Sequence, residues 1–304
     1  MTNTKLTLHS CPKCGAPLTH HRFAPTALCT FCGITVSLEA DVVKASVFLD
    51  ALARQQARPD GPGVVTLLGQ HYRLLKRLHV GQYATVDLAE RTARPTERVV
   101  LKTFHASTPA ALPHNEWEAL TALQDSEARG AGTFLSRVPE SVAFSAVAGE
   151  PIRLAYRWAP GFVSSLAEAQ ARSGGGIPPI AAVWVWRRVL EALGFIHDTG
   201  LSHGAVLAQH CMVQDGEHGL KLVGFSHAKK GANAGDDVAQ SARMMLSVTH
   251  PSMPASLAQL TSNVAEAKPS HWPARRLHEE LGALARREFG PPSFHPLFST
   301  DERS

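Results

Sequence analysis

A chain of 304 residues, 44% hydrophobic and 18% charged, has the length for about two domains and the composition of a soluble globular protein. Its formal net charge of +4 is scattered along the chain and not gathered into basic blocks, which argues against nucleic acid or an acidic membrane surface as the main partner. It contains no apolar run of the roughly 18 residues a membrane span needs, and MTNTKLTLHSCPKC lacks the apolar stretch of a secretory signal, so a cytoplasmic location without membrane attachment is the expectation.

The first unit, residues 1–40, holds four of the five cysteines as Cys11-Pro-Lys-Cys14-Gly and Cys29-Thr-Phe-Cys32-Gly, with fourteen residues between the pairs. Each C-x-x-C pair can turn both sulfurs toward one point, with Gly15 and Gly33 giving the backbone the freedom to turn, and four thiolates satisfy a tetrahedral zinc. A structural zinc ribbon on Cys11, Cys14, Cys29 and Cys32 is therefore expected; disulfides or a redox dithiol are the alternatives, disfavoured by the cytoplasmic expectation and by the matched pairs. His9, His20 and His21 are near enough in sequence to replace a thiol, but a complete set of four makes that unnecessary. Arg22, Phe23 and two histidines are the groups between the knuckles suited to nucleic acid, so protein docking or a purely structural role is expected of the ribbon before base recognition.

Residues 41–63 read as a connector: Asp41 to Arg58 carries apolar residues at helical spacing, and Arg58-Pro-Asp-Gly-Pro-Gly63 ends it in a hinge. From His71 the pattern alternates, and YRLLKRLHVGQYATVDLAERTARPTERVVLKTF predicts two strands, a turn and a third strand. HNEWEALTALQ then predicts a helix, with Glu116 followed by Leu120 and Leu123, and SVAFSAVAGEPIRLAYRW predicts a strand pair. These elements make residues 64–158 one strand-rich unit that ends near Ala159-Pro160-Gly161.

The remainder, residues 159–304, is helix-rich. Ala181–Asp198 is a strongly apolar helix, and Leu201 to Lys230 reads as loop, strand, tight turn at Asp215-Gly216, strand and loop. GDDVAQSARMMLSV begins a helix for which Asp236-Asp237 is a sound N-cap, and PARRLHEELGALARRE is amphipathic with Arg275, Arg276, Arg286 and Arg287 on a solvated face. Cys211 reads as a small core residue.

As an ordered series these residues resemble a protein kinase over about residues 70–295. His79, Gly81 and Ala84 fall on the glycines of G-x-G-x-x-G, with Val86 on the valine that follows. Val99-Val100-Leu101-Lys102 falls on V-A-I-K, and Glu116 on the helix glutamate that pairs with its lysine, Glu118 being the alternative. His203-Gly204-Ala205 falls on H-R-D, His210 on the catalytic-loop asparagine, and Gly224-Phe225-Ser226 on D-F-G. The resemblance implies a two-lobed α+β fold preceded by the ribbon, with 64–158 as small lobe and 159–304 as large lobe. It implies a nucleotide pocket at Gly81, Val86, Lys102, Glu116 and Met212, with Val100 crowding the adenine, a vertical stack from Leu120 through Phe225 and His203 to Asp237, and for Asp237 the role of the helix-start aspartate that ties down the loop at His203.

The departures from the kinase pattern fall on the reacting groups. Ala205 cannot accept a hydroxyl proton, and neither His210 nor Gly224 supplies the oxygen ligand that holds magnesium against a triphosphate. Asp237 follows Gly224 by thirteen positions, too few for an activation loop and its A-P-E anchor. The expectation is a catalytically inactive protein-kinase-like protein, a pseudokinase, with no catalytic residue and no magnesium site, that binds a protein partner as a scaffold or regulator and takes ATP, if at all, without metal. The alternative is an active ATP-dependent kinase or nucleotidyltransferase with relocated groups, for which His210, Asp215 or Glu217 would have to serve.

Overall fold

The computed structural model describes residues 11, 18, 26–29, 32, 34–37, 63–93, 96–162, 164–214, 218–231, 234–267, 272–293, 295 and 297. The expected connector helix, Cys14, His9, His20, His21, Arg22, Phe23, and the hairpin-tip acids Asp215 and Glu217 lie outside the described residues. Within them the architecture is mixed α+β, an antiparallel sheet followed by a helical body.

Near the start, β1 (Thr26–Leu28) pairs with β2 (Thr35–Ser37) as a short hairpin. The main sheet is built from β3 (Val64–Leu67), β4 (Gln70–Val80), β5 (Ala84–Arg91), β6 (Arg98–Phe104), β7 (Ser141–Ser145) and β8 (Arg153–Arg157), in the order β3-β4-β5-β6-β8-β7. Alternation in the sequence sets its two faces, with Tyr72 and Leu74 of β4 buried and Arg73 between them exposed. Leu75 breaks the alternation and is buried too, where the register of β4 against β5 shifts between Leu74 and Lys76. A bulge of this kind bends the strand and deepens its twist. The sheet curls far enough for Arg153 of β8 to reach the Thr66 carbonyl on β3 at 3.4 Å.

Helix α1 (Ala111–Gln124) packs on this sheet and buries Glu116, Leu120 and Leu123. The helical body comprises α2 (Leu166–Arg172), α3 (Pro179–Asp198), α4 (Ala234–Val248), α5 (Ala255–Glu266) and α6 (Ala274–Phe289). α2 opens with a reciprocal cap, in which the Ser165 hydroxyl accepts from the Glu168 N–H and the Glu168 carboxylate accepts from the Ser165 N–H. α3 is apolar nearly all round, so it runs through the core with Val185, Trp186, Val189, Leu193 and Phe195 all buried. The Trp186 indole donates to Ser241 at 2.9 Å and fixes α3 against α4. No helix among the described residues is long and apolar enough to cross a membrane.

Between α3 and α4 the chain supplies the lower part of the site, and β9 (Ser164–Ser165), which precedes α2, pairs with it. β9, β11 (Cys211–Gln214) and β12 (Gly219–Leu222) form a small antiparallel sheet, with β11 and β12 as the hairpin expected around Asp215-Gly216. β10 (Leu201–Ser202) pairs with β13 (Lys229–Lys230), so the chain leaving β12 makes one tight helical turn at Phe225–His227 and returns at once beside β10. One expectation fails here. α4 starts at Ala234, so Asp236 and Asp237 stand in its first turn and do not cap it from outside. The Asp237 carboxylate is spent instead on the loop after β10.

Candidate functional site

Strand register and one helix assemble the centre of the site. Lys102 sits in the middle of β6, directly across from Val86 on β5. α1 brings in Glu116, whose Oε2 lies 2.6 Å from Lys102 Nζ. The alternative partner, Glu118, points to solvent. The same Glu116 oxygen accepts the Ser226 hydroxyl, while Oε1 accepts the Tyr156 hydroxyl at 2.6 Å. Lys102 also donates to Ser226 Oγ at 3.3 Å.

Burial pushes the Glu116 carboxyl up, but the Lys102 ammonium and the hydrogen bonds from Lys102, Ser226 and Tyr156 outweigh it and hold the group below its ordinary value. Burial and the neighbouring carboxylate push the Tyr156 phenol the other way, well above its own ordinary value. The result is a closed network: a buried carboxylate with three donors, one of them a lysine turned inward upon it. Ser226 and Tyr156 were not singled out by sequence reading. Ser226 stands two residues after Gly224, where a hydroxyl is a legible signal, whereas Tyr156 is forty residues from Glu116 and meets it only through the fold.

A second buried carboxylate organises the loop below. Asp237 accepts the backbone N–H of His203 and of Gly204, each at 2.7 Å, and its Oδ2 lies 3.0 Å from His197 Nε2. These donors overcome its burial and keep its carboxyl below the usual range. His203 is fully buried, with its Nδ1 accepting the Ala205 N–H at 3.2 Å and its Nε2 3.1 Å from the Val223 carbonyl. Its ring meets Phe225 edge-on with centroids 4.5 Å apart. Burial lowers the His203 imidazole to about 4, against the pull of Asp237, so it is neutral at pH 7.

The positions where a metal-holding or proton-accepting group was expected to be missing are filled in a coordinated way. His210 Nδ1 lies 2.8 Å from the Ala205 carbonyl, and its ring lies over Gly224, where a Cβ would come within 2.9 Å of it. Gly224 has φ of 85°, in the left-handed region. Gly204, with φ of 78°, passes so close to the His227 carbonyl that no Cβ fits. Burial lowers the His210 imidazole, and Glu116 is the acid that acts on it, already committed to three donors. Cys211 is fully buried, its thiol pushed up to about 12, and serves as core.

Gly81 lies in the β4–β5 turn, its N–H donating to the Ala84 carbonyl at 2.9 Å. The tip of that turn is tied down, because the Tyr83 carbonyl accepts from the His105 N–H at 2.8 Å and from the Thr108 hydroxyl at 2.6 Å. Met212 is half-buried on β11, paired with Ser165 on the small sheet. Val86, Lys102 and Glu116 are thus brought together, while Gly81 and Met212 stand on the turn and on the second sheet.

Apart from this site, the thiols of Cys11, Cys29 and Cys32 all lie within 4.8 Å of one another, with Cys11 and Cys32 3.6 Å apart. The β1–β2 hairpin positions two of them, and the Cys29 N–H donates to the Ile34 carbonyl at 2.7 Å across its turn. Compared with models of known protein families and with curated proteins, the chain matches none.

Proposed function

We propose that this chain is a protein-kinase-like protein without phosphoryl-transfer activity, which works by binding a protein partner. The observation that carries the reading is the coordinated filling of three positions: Ala205, His210 and Gly224 stand where a kinase has its base and its two metal ligands, and the His210 ring lies over Gly224. The scaffold side of the resemblance is supported by the Lys102–Glu116 pair, by the Asp237 carboxylate on the 203–204 loop, and by the His203–Phe225 contact. In this reading 64–158 is the small lobe and 159–304 the large lobe. Losing a positioned base costs roughly 10²- to 10⁴-fold in rate, and losing the metal clamp several kcal/mol more of charge stabilisation.

Lys102 then braces the two lobes through Glu116 and Ser226, and ATP binding is weak and independent of magnesium. Support for a protein partner comes from the β3–β4 hairpin, where Val64 and Leu68 are 58% and 63% exposed and Leu68 is held at φ of 47°, a conformation leucine adopts only at a cost. In the N-terminal unit, Cys11, Cys14, Cys29 and Cys32 hold a structural zinc. The 3.6 Å separation of Cys11 and Cys32 supports this, since a tetrahedron with Zn–S of about 2.3 Å has an edge near 3.8 Å.

The test is turnover of labelled ATP by the purified chain with magnesium, alongside Lys102→Ala. No transfer above background is expected from either; robust transfer that depends on Lys102 would replace this reading with that of an active phosphotransferase. Capture of partners with and without residues 1–40 then separates a ribbon-mediated contact from one made by the lobes.

A further inference from the structure

The N-terminal unit and the segment that follows α6 meet on one face of the helical body. A cavity of about 230 Å³ lies there between α3, α6 and that segment, and Cys32 lines it together with Trp184, Phe289 and His295. The segment after α6 is strapped in place by two donors. The Trp184 indole donates to the His295 carbonyl at 3.0 Å, and His218 Nε2 lies 2.8 Å from the same carbonyl. A carbonyl oxygen only accepts, so His218 carries its proton on Nε2. Leu297, two residues further on, is buried.

His218 is held there at a cost. It stands just before β12 with φ of 48°, in the left-handed region that is uncommon for a residue with a Cβ, and it is 5% exposed. Its ring stacks on Trp184, with centroids 4.3 Å apart and planes 10° from parallel. Sparsely populated backbone conformations persist only where the surrounding structure over-determines them, so the Trp184 stack and the His295 carbonyl make this face a fixed surface. The unit that meets it is not self-sufficient. Among the described residues its core is Cys11, Leu18, Ala27 and Cys29, with Cys32, Ile34 and Val36 half-buried around them, and a hairpin of two three-residue strands is marginal by itself in water. Cys32 belongs both to the sulfur cluster and to the lining of the cavity, so whatever fixes its sulfur also fixes the contact.

We propose, resting on the reading of Cys11, Cys14, Cys29 and Cys32 as one metal site, that the face formed by α3, α6 and the strapped segment is the docking surface for the N-terminal unit in its metal-loaded form. A metal bound by these cysteines fixes the turn that carries Cys32 and gives the unit a rigid edge to set beside Trp184 and Phe289. Without the metal that turn is free to open, and the unit loses its fold and its seat together. Docking in turn favours the metal-loaded state, because a surface that takes only the folded unit stabilises it. The occupant of this face is therefore the chain's own N-terminal unit, and its metal state is felt at α3 and at the segment after α6.

Cobalt(II) is the probe, exchanged for zinc in the full chain. Its visible and thiolate charge-transfer bands report a four-thiolate site, and its unpaired electrons broaden the resonances of nearby protons. On cobalt loading the Trp184 indole N–H resonance, assigned with Trp184→Phe, should be lost, while that of Trp117, which stacks on Phe144 and does not line the cavity, should persist. Stripping the zinc-loaded chain with a strong chelator should shift the Trp184 resonance and leave that of Trp117 in place. Absence of the four-thiolate spectrum would remove the metal reading and the docking with it. A chain that shows that spectrum but keeps a sharp Trp184 signal, equal broadening of both indoles, or a Trp184 signal unmoved by chelation would each overturn the docking alone.

Discussion

The imidazole of His210 occupies the space that a side chain at Gly224 would need: a Cβ there would stand 2.9 Å from two ring atoms and 3.0 Å from a third. Neither residue is independent of the other. A larger residue at position 224 meets the ring, and loss of the ring leaves a space above the glycine. Gly224→Ala should cost about 1–2 kcal/mol for its left-handed backbone alone, with the clash added. In the double variant with His210→Ala the clash is gone, so a coupling of about 0.5–3 kcal/mol is expected between the two sites. Denaturant unfolding of the four chains measures it, and additive losses would mean the two positions do not touch.

The Lys102–Glu116–Ser226–Tyr156 network makes a sharper prediction about charge. Lys102→Met leaves the buried Glu116 carboxylate with hydroxyl donors only, and breaking a buried pair from one side costs about 3–5 kcal/mol. Adding Glu116→Gln removes the stranded charge and should recover most of that loss. Ser226→Ala should cost about 1.5–3 kcal/mol as the loss of a hydrogen bond to a charged group. Urea unfolding of the full chain distinguishes these outcomes from that of a surface pair, for which all variants would lie within about 1 kcal/mol of wild type.

His203 gives the fold an acid limit. Its folded-state value is lowered to about 4 from 6.5, so above pH 6.5 folded and unfolded chains are both neutral at this ring and its full contribution is present. As pH falls below 6.5 the unfolded chain takes up the proton first, and stability is lost progressively until pH reaches about 4, on the order of 3 kcal/mol in all. His210 is lowered as well and adds to the same slope. Glu116 and Asp237, both held below their ordinary values, add a further loss only as pH falls through the carboxylate range. Unfolding free energy measured between pH 7 and pH 4 should therefore decline, and His203→Asn, though less stable at pH 7, should decline less steeply.

Zinc content is predicted at one equivalent per chain. Cys29→Ser should abolish it, and a strong chelator should unfold the N-terminal unit, because so small a segment draws most of its folding free energy, on the order of 10 kcal/mol, from the metal. The main unfolding transition should persist after chelation, since the large core cluster contains none of these cysteines. A full equivalent of zinc retained by Cys29→Ser would remove the proposed ligand set.

The sequence by itself determined the elements. Alternating apolar residues after His71, the apolar run through α3 and the apolar residues of β11 and β12 each specify structure through neighbours a few residues away, and those elements stand where expected. It also named Lys102, Glu116 and His203, through motif spacing. Only the tertiary structure decided what those groups do. It brought Tyr156 and Ser226 onto Glu116 and laid His210 over Gly224, whereas the hold of Asp237 on the 203–204 loop is the one the resemblance implied. Such contacts join residues from 14 to more than 100 positions apart, and the donors a buried carboxylate finds depend on which strands and helices pack around it, information that no local pattern of residues contains.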